Sequence, residues 1–235
     1  MKYIVFDVRA DFAQFKKPFT TMSPQTFAIP TGTAVVGMIS AIVGLDKKNY
    51  WQYFPEDYYQ LALGVRKPIK KVVIPINTLK TTLIRHFSRF KEHKRTTMEF
   101  IKDGEFRIWF SWNDNDHFLK LIDYIKNHET HYTLSLGLAW NLADYKFVGL
   151  FNGDKRSGNQ HSVEINSVIR KDLVDEISFK ERVIYSTKIP VRMKPDGSRQ
   201  VEQYSDYLFD TNGKNLFARV KEYYELENGD RIVPL

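Results

Sequence analysis

The 235-residue chain contains no cysteine, which excludes disulfides and metal sites built from thiolates. It also lacks a long apolar run: the longest, Ala34 to Leu45, is shorter than the roughly 20 residues that a bilayer-spanning helix needs. A secretion signal is not expected, because Met1 to Asp11 alternates like a strand and no apolar core follows a basic start. These absences predict a cytoplasmic protein that makes no contact with a membrane.

Motifs that would hold a metal or a nucleotide are also missing. The six histidines are scattered, and no HxH, HExxH or His/Asp cluster occurs, so a zinc site is not expected. Gly32, Gly37 and Gly44 do not form a GxGxxG loop, and no glycine is followed by Lys and then Ser or Thr. Residues 153–158 are basic, and we interpret them as a surface turn, with a phosphate-touching loop as the alternative. The sequence therefore predicts no metal and no cofactor.

Positive charge is abundant, but it is concentrated in one segment. The chain has 35 Lys and Arg residues against 28 Asp and Glu residues, a net charge of +7. The stretch from Arg66 to Arg95 holds ten basic residues and one acid, Glu92, a formal charge of +9. The remaining 25 basic and 27 acidic residues sum to −2. Charge concentrated in this way predicts a polyanionic partner that is bound at one place.

The second half of this segment combines cations with rings. Phosphate neutralisation needs cations, and unstacked bases pack on aromatic rings or on Arg planes. The combination predicts a nucleic-acid-binding element, and a solvated, charged hairpin is the alternative. The cations are Lys80, Arg85, Arg89, Lys91, Lys94 and Arg95, and the rings are His86, Phe87, Phe90 and His93.

Hydrophobic periodicity outlines strands and helices in the first two thirds of the chain. Alternating residues predict strands, and spacings of three and four predict helices. Gly44 is a natural stop for the first helix, and Gly37 inside that helix is typical of close packing against another element. The predicted strands are 2–12, 61–65, 72–76, 105–112, 132–138 and 145–148, and the predicted helix caps are Thr33 and Asp116.

The order of these elements predicts the fold class. Strand, helix, strand, basic insert, strand, helix, strand is the split β-α-β-β-α-β pattern. We therefore predict an α+β fold with a ferredoxin-like (RRM-related) domain over residues 1–150 and an enlarged β-hairpin inserted at about 80–98. Residues 151–235 form a small β-rich C-terminal region, with a hairpin whose arms are Val183–Met193 and Val201–Phe209 and with turns at 152–154, 195–197 and 212–214.

Four sequence blocks resemble the CRISPR-associated Cas-five family. They are "FDVRADFAQFKK", "SPQTFAIPTGTAVVGMISAIVGL", "KRTTMEFIKDGEFRIWF" and "HYTLSLGLAWNLADYKFVG". The first two resemble the family's first strand, loop and small-residue helix. The third resembles the strand after its thumb hairpin, and the fourth its Tyr-Thr-x-x-Leu-Gly block followed by Leu-Ala-Asp-aromatic. Together they cover most of residues 1 to 150 in the family's order, and the overall style is similar to the type I-B branch.

This resemblance implies a member of the RAMP superfamily that takes part in antiviral defense. Such a protein caps the 5′ handle of the crRNA in Cascade, the type I surveillance complex. Its implied partners are the crRNA, the backbone and large subunits, and target DNA near the protospacer-adjacent motif. The inserted hairpin corresponds to the thumb that lies over and bends the guide. The implied RNA-binding residues are Lys16, Lys17, Ser23, Gln25, Thr26, Lys80, Arg85, His86, Arg89, Lys91, Lys94 and Arg95.

The resemblance leaves catalysis open, because one branch of the family, in type I-C, is itself a processing endoribonuclease using Tyr, Lys and His. That trio is not placed on this chain, so we expect no catalytic residues and a separate processing enzyme. A metal-independent endoribonuclease with His86 or His93 as general acid or base is the first alternative. A generic RRM-like RNA-binding protein that acts alone is the second.

Overall fold

The computed structural model describes residues 1–79, 93–158, 161–194, 196, 198 and 200–235. Two α-helices, a large sheet and two small sheets make up this part of the chain. Short 3-10 turns occur at Tyr50–Tyr53 and Lys171–Leu173. The elements are β1 (Lys2–Ala13), α1 (Gly32–Val43), β2 (Tyr59–Val65), β3 (Lys70–Leu79), β4 (His93–Trp112), α2 (Asn115–Asn127), β5 (Asp144–Ser157), β6 (Val163–Ile165), β7 (Ile169–Arg170), β8 (Val174–Ile177), β9 (Ile184–Met193), β10 (Val201–Asp210), β11 (Leu216–Val220), β12 (Glu222–Leu226) and β13 (Arg231–Ile232).

The large sheet is antiparallel and has the strand order β13-β12-β5-β1-β4-β2, with β3 pairing to the far end of β4. Helices α1 and α2 pack on the face that carries Ile4, Phe6 and Val8, where apolar side chains form the main core. The predicted α+β class is therefore confirmed. No helix in the described ranges is long and apolar enough to cross a membrane.

The start of β1 is buried on both faces, not on one face as the alternating pattern suggested. Tyr3 and Val5 point away from the helices and join a second apolar cluster with Trp109, Leu226 and Ile232. Leu226 and Ile232 come from β12 and β13, so side chains of the C-terminal strands of the sheet help to bury this second face. The alternating pattern of the first 11 residues cannot predict contacts with strands near the C-terminus.

Both predicted helix caps lie two residues too far along the chain. Helix α1 is capped by Thr31, whose Oγ1 accepts a hydrogen bond from the N–H of Ala34 at 3.2 Å. Helix α2 is capped by Asp114 through the N–H of His117 at 3.1 Å. In each case two residues of capping type stand two positions apart, so local sequence fits either one. Gly44 is confirmed as the stop of α1, with φ +84°.

The prediction for Gly37 is wrong, and a second glycine, Gly104, lies inside a long strand. Gly37 does not mark close packing, since a methyl group there would meet nothing within 4 Å. Gly104 does not interrupt the chain, because β4 runs for 20 residues through it and pairs Gly104 with Ala10 of β1. Pairing to β1 on one side and β2 or β3 on the other keeps the strand continuous.

Strand β5 replaces a predicted turn. Residues 152–154 and the basic stretch up to Ser157 extend along β12, where Lys155 and Arg156 form ion pairs with Glu222 and Glu225. The glycine of that stretch, Gly153, lies where a methyl group would approach the Tyr3 ring to 2.9 Å, so it marks close packing and not a turn. The predicted boundary between residues 150 and 151 falls inside β5.

The predicted strand at 132–138 is a loop. It is held by hydrogen bonds to neighbouring segments and by an isolated bridge between Ser135 and Leu142. The predicted hairpin near the C-terminus is confirmed as β9 and β10, which pair from Met193–Val201 to Ile184–Asp210. Ile189 and Val191 of β9 belong to the main core, so this hairpin packs directly on the first part of the chain.

Candidate nucleic-acid interface

A two-stranded ribbon, formed by β3 and residues 93–102 of β4, extends from the large sheet. Its register runs from Lys70 opposite Lys102 to Leu79 opposite His93. Side chains alternate between the two faces of a strand, and directly opposed residues share a face. One face, the apolar face, carries Val72, Ile74, Ile76, Met98 and Phe100, and the other, the open face, carries Lys71, Asn77, His93, Arg95 and Glu99.

The predicted cations of the ribbon are divided between these faces. Arg95 lies on the open face opposite Asn77, and Lys94 lies on the apolar face opposite Thr78. Both side chains are exposed, and neither forms an ion pair with another described residue. The other residues predicted to bind RNA in the inserted hairpin, Lys80, Arg85, His86, Arg89 and Lys91, lie outside the described residues.

The connection between β1 and α1, residues 14–27, folds back on itself as a narrow loop that we call the handle loop. The N–H of Lys17 donates to the Gln25 carbonyl at 2.9 Å, and the N–H of Phe27 donates to the Phe15 carbonyl at 2.8 Å. Lys16, Ser23 and Gln25 are exposed, and the Lys17 ammonium lies 3.4 Å from the Gln25 side-chain oxygen. Four of the five predicted residues of this loop therefore present polar groups near the surface.

Thr26, the fifth predicted residue, is fully buried. Its hydroxyl accepts a hydrogen bond from the N–H of Phe15 at 2.9 Å and donates one to the Phe27 carbonyl at 2.7 Å. Both capacities of the hydroxyl are thus used inside the protein. The Thr26 side chain holds the two arms of the handle loop together and is not presented to a partner.

Glu99 joins the handle loop to the open face of the ribbon. One carboxylate oxygen accepts hydrogen bonds from the N–H of Thr26 at 3.1 Å and from the Lys71 ammonium at 2.9 Å. The N–H of Glu99 donates to the Pro24 carbonyl at 2.9 Å, and the Lys71 ammonium also reaches the Thr26 carbonyl at 3.1 Å. Lys71 is thereby neutralised, and the loop is fixed against the same ribbon face that carries Arg95.

Gln14 lies beneath this junction and connects it to a third segment. Its side-chain amide donates to the Glu99 carbonyl at 3.0 Å, and its N–H donates to the Leu136 carbonyl at 3.1 Å. The next residue, Gly137, has φ +94°, and a methyl group there would lie 1.8 Å from the Gln14 carbonyl oxygen. The loop 134–143 is therefore held against the base of the ribbon by a contact that only glycine permits.

Sequence reasoning missed both Glu99 and Gln14. Glu99 stands beyond the basic segment, and its partner Thr26 is 73 residues away. The available signal was an acid between Met98 and Phe100 in an otherwise basic and apolar strand. Gln14 gave no signal beyond being an uncharged polar residue at the end of a strand.

The described histidines take separate roles. His93 is exposed at the described end of the ribbon. His117 lies with its Nδ1 2.7 Å from the Asp114 carboxylate, at the start of α2. His128 stacks on Tyr145 and approaches Asp144 at 3.2 Å, while the pKa of the Asp144 carboxyl is lowered chiefly by the hydrogen bond from Arg9. Within the described ranges, no three side chains suited to binding a metal come together.

Comparisons with known proteins point to one family. A family model described as CRISPR-associated protein (Cas_Cas5) matches residues 3–137, more than half of the chain. The crystal structure of a CRISPR protein from Archaeoglobus fulgidus is similar to this chain. The TM-score is 0.61 and the sequence identity is 12%, over 100% of this chain and 99% of that one. A chain of a CRISPR RNA-guided surveillance complex is similar with a TM-score of 0.53 and 11% identity, over 92% and 91% of the two chains. At such identities the likeness shows the fold alone. No curated protein sequence matches the chain.

Proposed function

The chain belongs to the CRISPR-associated Cas-five family, and on that premise we propose that it is an RNA-binding, non-catalytic subunit of a type I CRISPR surveillance complex. In this proposal it caps and bends the 5′ handle of the crRNA beside the large and backbone subunits, next to the protospacer-adjacent motif of the target DNA. In this proposal the complex is of the type I-B kind, because the sequence as a whole resembles that branch of the family. The complex acts in the cytoplasm. The resemblance in fold to a chain of an RNA-guided surveillance complex supports this reading.

The topology supports a ferredoxin-like core. The sheet order β5-β1-β4-β2, with α1 between β1 and β2 and α2 between β4 and β5, is the arrangement of a split β-α-β-β-α-β unit. The ribbon leaves this core between β2 and α2. In our proposal the ribbon is the base of the thumb.

The observation that carries the proposal is the junction at Glu99. It places two cations of the handle loop, the exposed Lys16 and the half-buried Lys17, beside the ribbon face that carries Arg95. A single strand of RNA that follows this surface would meet cations from two segments held in fixed relation. Phosphate contacts of this kind supply affinity that falls as salt rises, because bound counterions are released.

A salt titration of RNA binding tests the proposal. The wild-type chain and the double variant Lys17→Glu/Arg95→Glu are compared for binding to RNA that carries the repeat-derived 5′ handle. We expect weaker binding and a slope of log Kd against log salt reduced by about 1.4, since each phosphate contact on a single strand contributes about 0.7. The matched control is Lys47→Glu/Lys180→Glu, two exposed cations without an ion pair to a described residue.

Two outcomes would contradict this assignment. If the wild type and Lys17→Glu/Arg95→Glu gave equal slopes of log Kd against log salt, the handle loop and the ribbon would not be the RNA contact. Tight binding by the free chain to any single-stranded RNA, with no association with other complex subunits, would favour the generic RRM-like protein instead.

A further inference from the structure

A groove of about 350 Å³ lies along the apolar face of the ribbon, on the side opposite the interface proposed above. Phe12 and Phe100 form one part of its lining, with their ring centroids 6.0 Å apart in an edge-to-face arrangement. Ile74 and Ile76 of the ribbon line one side, and Trp140 from loop 134–143 lines another. The volume lies within the range of small-ligand sites in proteins.

Trp140 is unusual among the tryptophans of the chain. Its side chain is 60% exposed, whereas Trp109 and Trp112 are 1% and 3% exposed. The loop that carries it is nonetheless well anchored: the N–H of Leu136 donates to the Asn141 carbonyl at 2.9 Å, and the N–H of Asn141 donates to the Leu138 carbonyl at 2.9 Å. A large ring held at the surface by a fixed loop is suited to stacking on a partner.

Phe12 reinforces this arrangement. Although it is a large apolar residue of β1, Phe12 is 37% exposed and lines the groove. The groove thus offers two partly exposed aromatic rings on different segments, with aliphatic side chains between them. Planar aromatic ligands pack well on such surfaces, since stacking between a base and an aromatic side chain is tolerant of sequence.

Charge around the groove indicates which planar ligand it takes. Phe12 lies opposite Lys102 across β1 and β4, and Lys102 lies opposite Lys70 across β4 and β3, so the three side chains share one face. Both lysines are exposed, and neither forms an ion pair within the described part of the chain. Lys94 lies on the same face farther along the ribbon.

One acid, Asp11, also lines the groove, and its carboxylate forms no ion pair or hydrogen bond with another described residue. Its carboxylate would repel a phosphate that entered the groove. It can accept a hydrogen bond from the amino group of a base, as carboxylates do with cytosine. The charge pattern therefore favours an orientation with a base inside the groove and phosphates outside it, beside the lysines.

We propose that this groove holds one unstacked base of a single-stranded RNA, between Trp140 and Phe12, with Lys70 and Lys102 contacting the adjacent phosphates. The proposal rests on the proposed RNA-binding function and adds a second contact on the other face of the ribbon. A single base suits this groove, because its volume of about 350 Å³ lies at the small end of the range of small-ligand sites and exposed lysines lie on the same face.

Substitutions at Trp140 test the proposal with a fluorescently labelled, single-stranded RNA of mixed sequence and the full-length chain. Trp140→Leu removes the ring and keeps an apolar side chain, and Trp140→Phe keeps a ring. We expect Kd to rise about 5- to 150-fold for Trp140→Leu and less than about threefold for Trp140→Phe, from the usual worth of one stacked base. The slope of log Kd against log salt should stay that of the wild type for both, since no phosphate contact is removed.

Phe179→Leu is the matched control, because Phe179 is 68% exposed and lies on the C-terminal part, away from the groove. Unchanged RNA affinity in Trp140→Leu, or equal losses in Trp140→Leu and Trp140→Phe, would overturn the proposal. If Trp140→Leu binds RNA normally but loses association with other complex subunits, the groove is a protein interface, and the proposal fails. Failure of the wild-type chain to bind RNA at all would instead count against the proposed function, so the two are separable.

Discussion

Glu99 and Lys71 form an ion pair of 2.9 Å at the base of the ribbon, and the same Glu99 oxygen accepts a hydrogen bond from the backbone N–H of Thr26. The two side chains are only 22% and 32% exposed. Glu99 is the only acid among the described residues of the ribbon, 70–79 and 93–102, and it positions a neighbouring loop. Replacing Glu99 therefore has two opposite effects: it makes the ribbon more positive, and it releases the handle loop from its fixed position.

Replacing Glu99 should therefore weaken RNA binding although it makes the chain more positive. Glu99→Ala removes the acceptor shared by Thr26 and Lys71, so the handle loop is no longer fixed to the ribbon. We expect a loss of about 1–3 kcal/mol in the free energy of unfolding, measured by urea denaturation, together with a higher Kd for RNA. Glu105→Ala removes an acid paired with the more exposed Lys67 and serves as control. Tighter RNA binding by Glu99→Ala would mean that charge alone decides affinity.

The start of α1 gives a direct comparison of two threonines. Thr31→Ala removes the side-chain acceptor of the Ala34 N–H and should cost about 1 kcal/mol of unfolding free energy. Thr33→Ala removes only a hydroxyl that contacts the Thr31 hydroxyl at 3.0 Å, and it should cost less. Thermal unfolding of both variants checks the order. A larger loss of unfolding free energy for Thr33→Ala would instead make Thr33 the N-cap of α1, as the sequence pattern predicts.

Two glycines with similar φ angles allow two costs of a Gly→Ala substitution to be separated: the cost of the left-handed backbone and the cost of a steric clash. Gly137 has φ +94° and Gly229 has φ +87°, but a methyl group would collide with the Gln14 carbonyl at Gly137 and meet nothing within 4 Å at Gly229. Gly229→Ala should cost about 1–2 kcal/mol for the left-handed conformation. Gly137→Ala should exceed it by about 1–3 kcal/mol from overpacking, as read from urea unfolding. Equal losses would show that loop 134–143 is not pressed against Gln14.

These comparisons also show which features the sequence determines on its own. Gly44 and the alternation of β1 are local signals, and both correctly predicted an element or its end. The cap at Thr31 is local but ambiguous, since Thr33 fits the same rule. The anchors of the site are not local: Glu99 meets Thr26 across 73 residues, and Gln14 meets Leu136 through a backbone contact. Such contacts depend on the strand order and on which residues of neighbouring strands lie opposite each other. Hydrophobic periodicity does not predict these pairings.

Acid stability offers a test of the ion pair between Arg9 and Asp144. The hydrogen bond from Arg9 lowers the pKa of Asp144, so the pair stabilises the folded state above the carboxyl's ordinary pKa and loses that contribution as pH falls through the lowered value. Asp144→Asn should therefore cost up to about 1 kcal/mol at neutral pH, because the pair is exposed, and nothing at strongly acidic pH. Urea unfolding across pH measures this, with Asp175→Asn as control. A difference from wild type that persists unchanged into acid would rule out the ion pair as its source.

Catalysis can be tested independently of binding. We expect that the purified chain, incubated with repeat RNA in EDTA, leaves the RNA intact, since no Tyr-Lys-His trio is placed on the chain and His93 is an exposed residue of the ribbon. EDTA removes metal-dependent contaminants, and gel analysis of end-labelled RNA reports any site-specific cut. His93→Ala, and His86→Ala outside the described residues, serve as paired variants. Cleavage at one site that either variant abolishes would make the chain a metal-independent endoribonuclease, because His93 or His86 would then act as its general acid or base.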